Sequence, residues 1–88
     1  MIEYEGSDGS SVEKSIKVKG ASSEMEGVLA EYNWLSKKFG KRGKDWEIES
    51  QSLIKKNNNK YDEMTIKLAD GTKKRIHFDV TEFYGKWK

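Results

Sequence analysis

Between Ser22 and Gly40 the large apolar residues Met25, Val28, Leu29, Tyr32, Leu35 and Phe39 recur at steps of three and four, the spacing of one stripe on an α-helix. Ser23 and Glu26 have the spacing of a capping box, in which the serine hydroxyl accepts from a first-turn amide and the glutamate reaches back to the cap amide. Gly40 provides a left-handed residue just past the helix, and Lys37 and Lys38 sit where they offset the negative end of its dipole. A helix with this stripe needs an apolar sheet face to lie on.

The rest of the chain alternates with period two. Val12, Lys14, Ile16 and Val18 alternate with Glu13, Ser15, Lys17 and Lys19, which predicts a strand ended by Gly20. After the helix, Trp46, Ile48 and Ser50 share one face of a second strand, and Glu47, Glu49 and Gln51 the other. The adjacent pair Leu53-Ile54 breaks that alternation, as a β-bulge or burial on both faces would. Asn57-Asn58-Asn59 is a turn. A third strand from about Tyr61 to Leu68 turns Met64, Ile66 and Leu68 inward. Asp70-Gly71 signals a hairpin into a fourth strand, with Ile76, Phe78 and Val80 inward and Arg75, His77 and Asp79 outward. In the tail, Thr81 is placed to cap one short helical turn, from which Phe83, Tyr84 and Trp87 would fold over an open edge of the core.

These elements predict an α+β fold of order β-α-β-β-β: one amphipathic helix on one face of a mostly antiparallel four-stranded sheet, with a short C-terminal helical turn. The first strand joins either the second, in parallel, or the fourth, in antiparallel; the clean alternation of both favours the fourth. Residues 1–11 read as a flexible acidic arm, whose Met1–Tyr4 end either frays with it or adds a short edge strand, and residues 12–88 as a single domain.

Composition narrows the class. Hydrophobic residues make up 34% of the 88 and charged residues 36%, so one modest core is all the chain can bury. Three Trp, three Phe and four Tyr argue against wholesale disorder. There is no cysteine, hence no disulfide framework or thiolate metal site. No apolar run approaches the roughly 18 residues of a membrane span. The N-terminus lacks the basic start and apolar block of a signal peptide, so a soluble cytoplasmic protein is expected, without membrane contact. The net charge is +2, but Glu3, Glu5, Asp8 and Glu13 precede any basic residue, which leaves a basic body behind an acidic arm.

Candidate chemistry is sparse. His77, the only histidine, lies on the strand face expected to meet solvent, with Asp79 two residues on as a conceivable orienting partner. A surface histidine is the simpler reading. No serine elbow, metal-ligand spacing or phosphate-binding glycine loop occurs, so neither an active site nor a cofactor or metal is expected. Two surfaces stand out instead. Lys37, Lys38, Lys41, Arg42 and Lys44 fall within eight residues without an acid, and a meander would bring Lys73, Lys74 and Arg75 to the same end. Such a cluster suits phosphates or other anions. Trp34 lies on the helical wheel opposite the apolar stripe, beside Ala30 and Gly27 and one turn before Lys38, as an anchor for a partner would. The expected function is a non-enzymatic protein-interaction module, monomeric or weakly dimeric, with Trp34, Ala30 and Lys38 as partner contacts. The alternative is a nucleic-acid-binding accessory protein using Lys41, Arg42, Lys44, Lys73 and Lys74.

Overall fold

A computed structural model describes residues 1–85 of the chain, so the expected role of Trp87 lies outside the described residues. The elements are β1 (Glu3–Gly6), β2 (Ile16–Lys19), α1 (Glu24–Phe39), β3 (Trp46–Lys56), β4 (Asn59–Leu68) and β5 (Lys73–Asp79). They form an α+β fold with one helix and a five-stranded, mostly antiparallel sheet of order β1-β2-β5-β4-β3. The additional strand comes from the expected flexible arm: β1 pairs antiparallel with β2 from Glu3↔Lys19 to Gly6↔Ile16. β2 is correspondingly shorter than the alternation suggested, because Lys14 N and Ser15 N bond back to the carbonyls of Ser11 and Val12 in a turn.

The first predicted strand does lie beside the last, but in parallel, through Ile16↔Phe78 and Lys17↔Asp79. Direction follows from counting reversals. The helix returns the chain so that β3 runs with β2, and two antiparallel hairpins then bring β5 back to the same direction. Asn57 and Asn58 both have positive φ, 52° and 66°, as a two-residue type I′ hairpin turn requires. The irregularity in β3 lies between Ile48 and Ser50, earlier than the Leu53-Ile54 pair that betrayed it. Glu49 is the extra residue; beyond it Leu53 pairs with Asp62 and Ile54 with Tyr61.

The helix ends fall where the caps place them. Ser23 accepts from Glu26 N at 3.1 Å, Glu26 reaches back to Ser22 N rather than to Ser23, and Gly40 N bonds Ser36 O at 3.0 Å. The buried face is rotated from the expected stripe, of which Leu35 is buried and Val28, Tyr32 and Phe39 are half-buried. Gly27, Ala30, Glu31 and Leu35 are buried, while Met25 and Leu29 are 74% and 55% exposed. Bulk in the core comes from the sheet side and the tail, through Trp46, Phe78 and Phe83, so the helix approaches on its small residues. Among the described residues the tail makes a single helical turn, with Tyr84 N on Val80 O at 2.9 Å. Thr81 does not cap that turn; its hydroxyl donates to Asp79 Oδ1 at 2.6 Å and accepts from Lys60 N at 2.9 Å.

Candidate binding groove

Because the helix turns its small-residue face to the sheet, Trp34 points inward and not toward solvent. Its ring meets Phe78 edge-on at 5.6 Å and Phe39 at 6.4 Å, and it stays half-buried. Lys38, one turn further along the same face, carries a charge over the helix end. Opposite them begins β5, with Lys73, Lys74, Arg75 and Ile76, and the loop after β1 closes the third side with Asp8 and Ser10. Together they line a cavity of about 430 Å³. β2 meets β5 only at Phe78 and Asp79, which leaves this space beside the first half of β5.

The groove is electropositive. Lys38, Lys73, Lys74 and Arg75 line it against one acid, Asp8, whose carboxylate is held below its ordinary range chiefly by the bond from Ser10 N, 3.0 Å away. Lys73 also pairs with Glu49 at 3.1 Å in an exposed contact, which solvent screens. Half-buried aromatic rings below several cations make a site for a ligand that is anionic and partly apolar.

No family model, curated protein or solved structure matches this chain.

Trp34, Lys38, Lys73 and Lys74, expected on two separate surfaces, therefore line one groove. Ala30 does not join them: it is 2% exposed, and its carbonyl accepts from the Tyr4 hydroxyl at 2.6 Å. Lys41, Arg42 and Lys44 lie on the connection between α1 and β3. Ala69 N donates to Asp45 O at 3.0 Å, so this connection and the β4–β5 turn share one end of the sheet. There Lys44 and Lys67 border a second cavity, of about 180 Å³, that also includes Glu47. Arg42 is held over the Tyr32 ring at 4.6 Å. Phe39, a member of the expected stripe, and Asp8 of the arm both reach the groove through tertiary packing that no local spacing encodes.

His77 is 5% exposed, not solvated as expected. Its Nδ1 lies 2.9 Å from Gly9 O and its Nε2 3.0 Å from Glu63 Oε2 on the neighbouring strand. Asp79 is engaged with Thr81 instead. Both ring nitrogens are thus occupied, and the ring ties the loop after β1 to the sheet. A second buried titratable group, Glu31, lies under the helix with neither carboxyl oxygen hydrogen-bonded among the described residues. Burial, then the Asp62 charge, push it up to about 10. Among the described residues no group of three or more His, Asp or Glu is arranged to hold a metal, and no helix is long and apolar enough to cross a membrane.

Proposed function

We propose that this chain is a non-enzymatic protein-interaction module whose contact site is the groove between the second half of α1 and the start of β5. The observation that carries the reading is the convergence of Trp34 and Phe39 with Lys38, Lys73, Lys74 and Arg75 around one cavity. The apolar floor gives an anchor for a partner side chain, and the cations select acidic partners and speed the encounter. The ring of His77, buried with both nitrogens in hydrogen-bond contact, supports a role without catalysis, since a substrate would have to displace Gly9 or Glu63 to reach it.

A second reading, nucleic-acid binding, is favoured by the shared end of the sheet at which Lys41, Arg42 and Lys44 lie near the turn that leads into Lys73 and Lys74. Fluorescence anisotropy with a labelled acidic decapeptide and a labelled oligothymidylate separates the two. The interaction reading expects peptide binding that Lys38→Glu with Lys74→Glu abolishes, that Trp34→Ala weakens, and that Lys55→Glu, at the far end of β3, leaves unchanged. Tight oligothymidylate binding that falls steeply with salt and is lost in Lys41→Glu/Lys44→Glu would establish the second reading instead.

A further inference from the structure

We propose that the groove receives an extended acidic peptide that adds as a strand to the open edge of β5, an inference that rests on reading the groove as a protein-contact site. The phase of the β4–β5 ladder carries it. Leu68 N bonds Thr72 O at 2.7 Å and Val80 N bonds Lys60 O at 2.9 Å, so the hydrogen-bonded pairs along this hairpin are the even-numbered ones, including Ile66↔Lys74 and Met64↔Ile76. Lys73, Arg75, His77 and Asp79 therefore turn their main-chain groups to the opposite edge.

That edge is only half covered. β2 pairs beside Phe78 and Asp79, and His77 N donates to Gly9 O at 2.7 Å. The chain then turns away, with Gly9 N bonded to Lys14 O at 2.7 Å. Among the described residues nothing bonds the main chain of Lys73 or Arg75 on this side. Two N–H donors and two carbonyl acceptors, two residues apart, are thus presented along the groove. An extended peptide matches that alternation, with main-chain bonds supplying affinity and alternate side chains supplying selectivity. A phosphodiester backbone does not, because its oxygens would face the two carbonyl acceptors as well as the donors.

The side-chain chemistry of the peptide follows from the two faces of the sheet. Residues turned toward the helix would meet Trp34, Phe39 and Ile76, with Lys38 and Lys74 at the margin. Residues turned the other way would meet Arg75, while Lys73 is drawn across the sheet to Glu49 on β3. The peptide is accordingly one that alternates apolar or aromatic residues with acidic ones.

The test is an NMR titration of the ¹⁵N-labelled full chain with the acetylated, amidated peptide Glu-Phe-Glu-Phe-Glu. Two analogues, N-methylated at the phenylalanines or at the glutamates, and oligothymidylate complete the set. The parent peptide is expected to shift the Trp34 indole signal and to protect the Lys73 and Arg75 amides from exchange. One analogue, the one whose methyl groups face β5, should bind about tenfold or more weakly, the loss expected for unmade main-chain bonds. The other should bind like the parent. Equal binding of both analogues, or unprotected amides at Lys73 and Arg75, overturns strand addition. If Trp34 still shifts in that case, the groove remains a peptide site gripped by charge and apolar contact alone. If Trp34 responds to no peptide, the strand and the groove readings fall together; if it then responds to oligothymidylate, nucleic acid takes their place.

Discussion

Gly27 and Phe83 are in direct contact: a Cβ at position 27 would penetrate the ring of Phe83 at Cδ1, Cε1 and Cγ. Phe83 is 2% exposed and belongs to the turn that follows β5, so the helix and the tail are held together at the one helical residue without a side chain. On helix propensity alone Gly27→Ala would gain about 1 kcal/mol. Overpacking against a buried ring costs about 1–3 kcal/mol, so the substitution is expected to lower the urea midpoint. Phe83→Leu, destabilising alone, should recover part of that loss in the double variant. A Gly27→Ala chain about 1 kcal/mol more stable than its parent, the propensity gain alone, would show that the tail does not pack here in solution.

Glu31 gives the fold a pH dependence with a definite sign. Its carboxyl is pushed from an ordinary 4.5 up to about 10 by burial first and Asp62 second. Between those values the folded chain holds a proton that the unfolded chain releases, so this contribution is complete below about pH 4.5 and is lost as pH rises toward 10. By pH 7 the loss amounts to about 3 kcal/mol. Asp62, raised chiefly by burial and further by the Glu24 charge, acts in the same direction. Glu31→Gln, which keeps the shape of the protonated acid, is therefore expected to be the more stable chain at pH 7 and to show a flatter profile between pH 5 and 8. Urea titrations across that range decide it; parallel profiles for the two chains would mean that Glu31 is solvated or paired.

The rotated helix face shows where sequence pattern stops being informative. The ends of α1 were legible because Ser23, Glu26 and Gly40 act through local backbone geometry. The face was legible only at Leu35, Tyr32 and Phe39, because a wheel ranks residues by size, whereas this sheet and tail already supply Trp46, Phe78 and Phe83 and need Gly27 and Ala30 opposite them. The same blindness put Trp34 on the outside. The hairpins were legible in Asn57-Asn58 and Asp70-Gly71, whose local conformations fix them. The groove was half legible: its basic residues cluster in sequence, but Asp8 and Phe39 reach it through packing that no local spacing encodes.

Gly9 is a second glycine with a structural duty. It has φ of 80°, and a Cβ there would stand 2.8 Å from Ile16 Cδ1 and 2.9 Å from Ile76 Cγ2. Its carbonyl receives both His77 N, at 2.7 Å, and the His77 ring, at 2.9 Å. Gly9→Ala combines left-handed strain with crowding and is expected to cost about 1–3 kcal/mol. The loss should be local as well as global. Hydrogen exchange at the His77 amide should quicken more than at Met64, in the middle of β4, because the loop after β1 is released first. Uniform acceleration across the sheet would instead make the loop part of a single cooperative unit.

Glu49 tests how the chain guards its long free edge. β3 is the outermost strand and spans eleven residues, enough to template pairing with other copies. The extra residue at position 49 bends that edge and increases its twist, while Lys55 and Lys56 add charge at its end. Deleting Glu49 preserves every facing pair on β4, because Ile48↔Ile66 and Ser50↔Thr65 are already consecutive in the partner strand. The exposed Lys73–Glu49 pair would go with it, a loss of at most about 1 kcal/mol. The variant is thus expected to fold on the same register but to present a straighter edge. In sedimentation velocity it should form concentration-dependent oligomers where the parent chain sediments unchanged. Identical sedimentation of the two chains would assign the guarding role to Lys55 and Lys56, and Lys55→Val/Lys56→Val should then be the change that brings copies together.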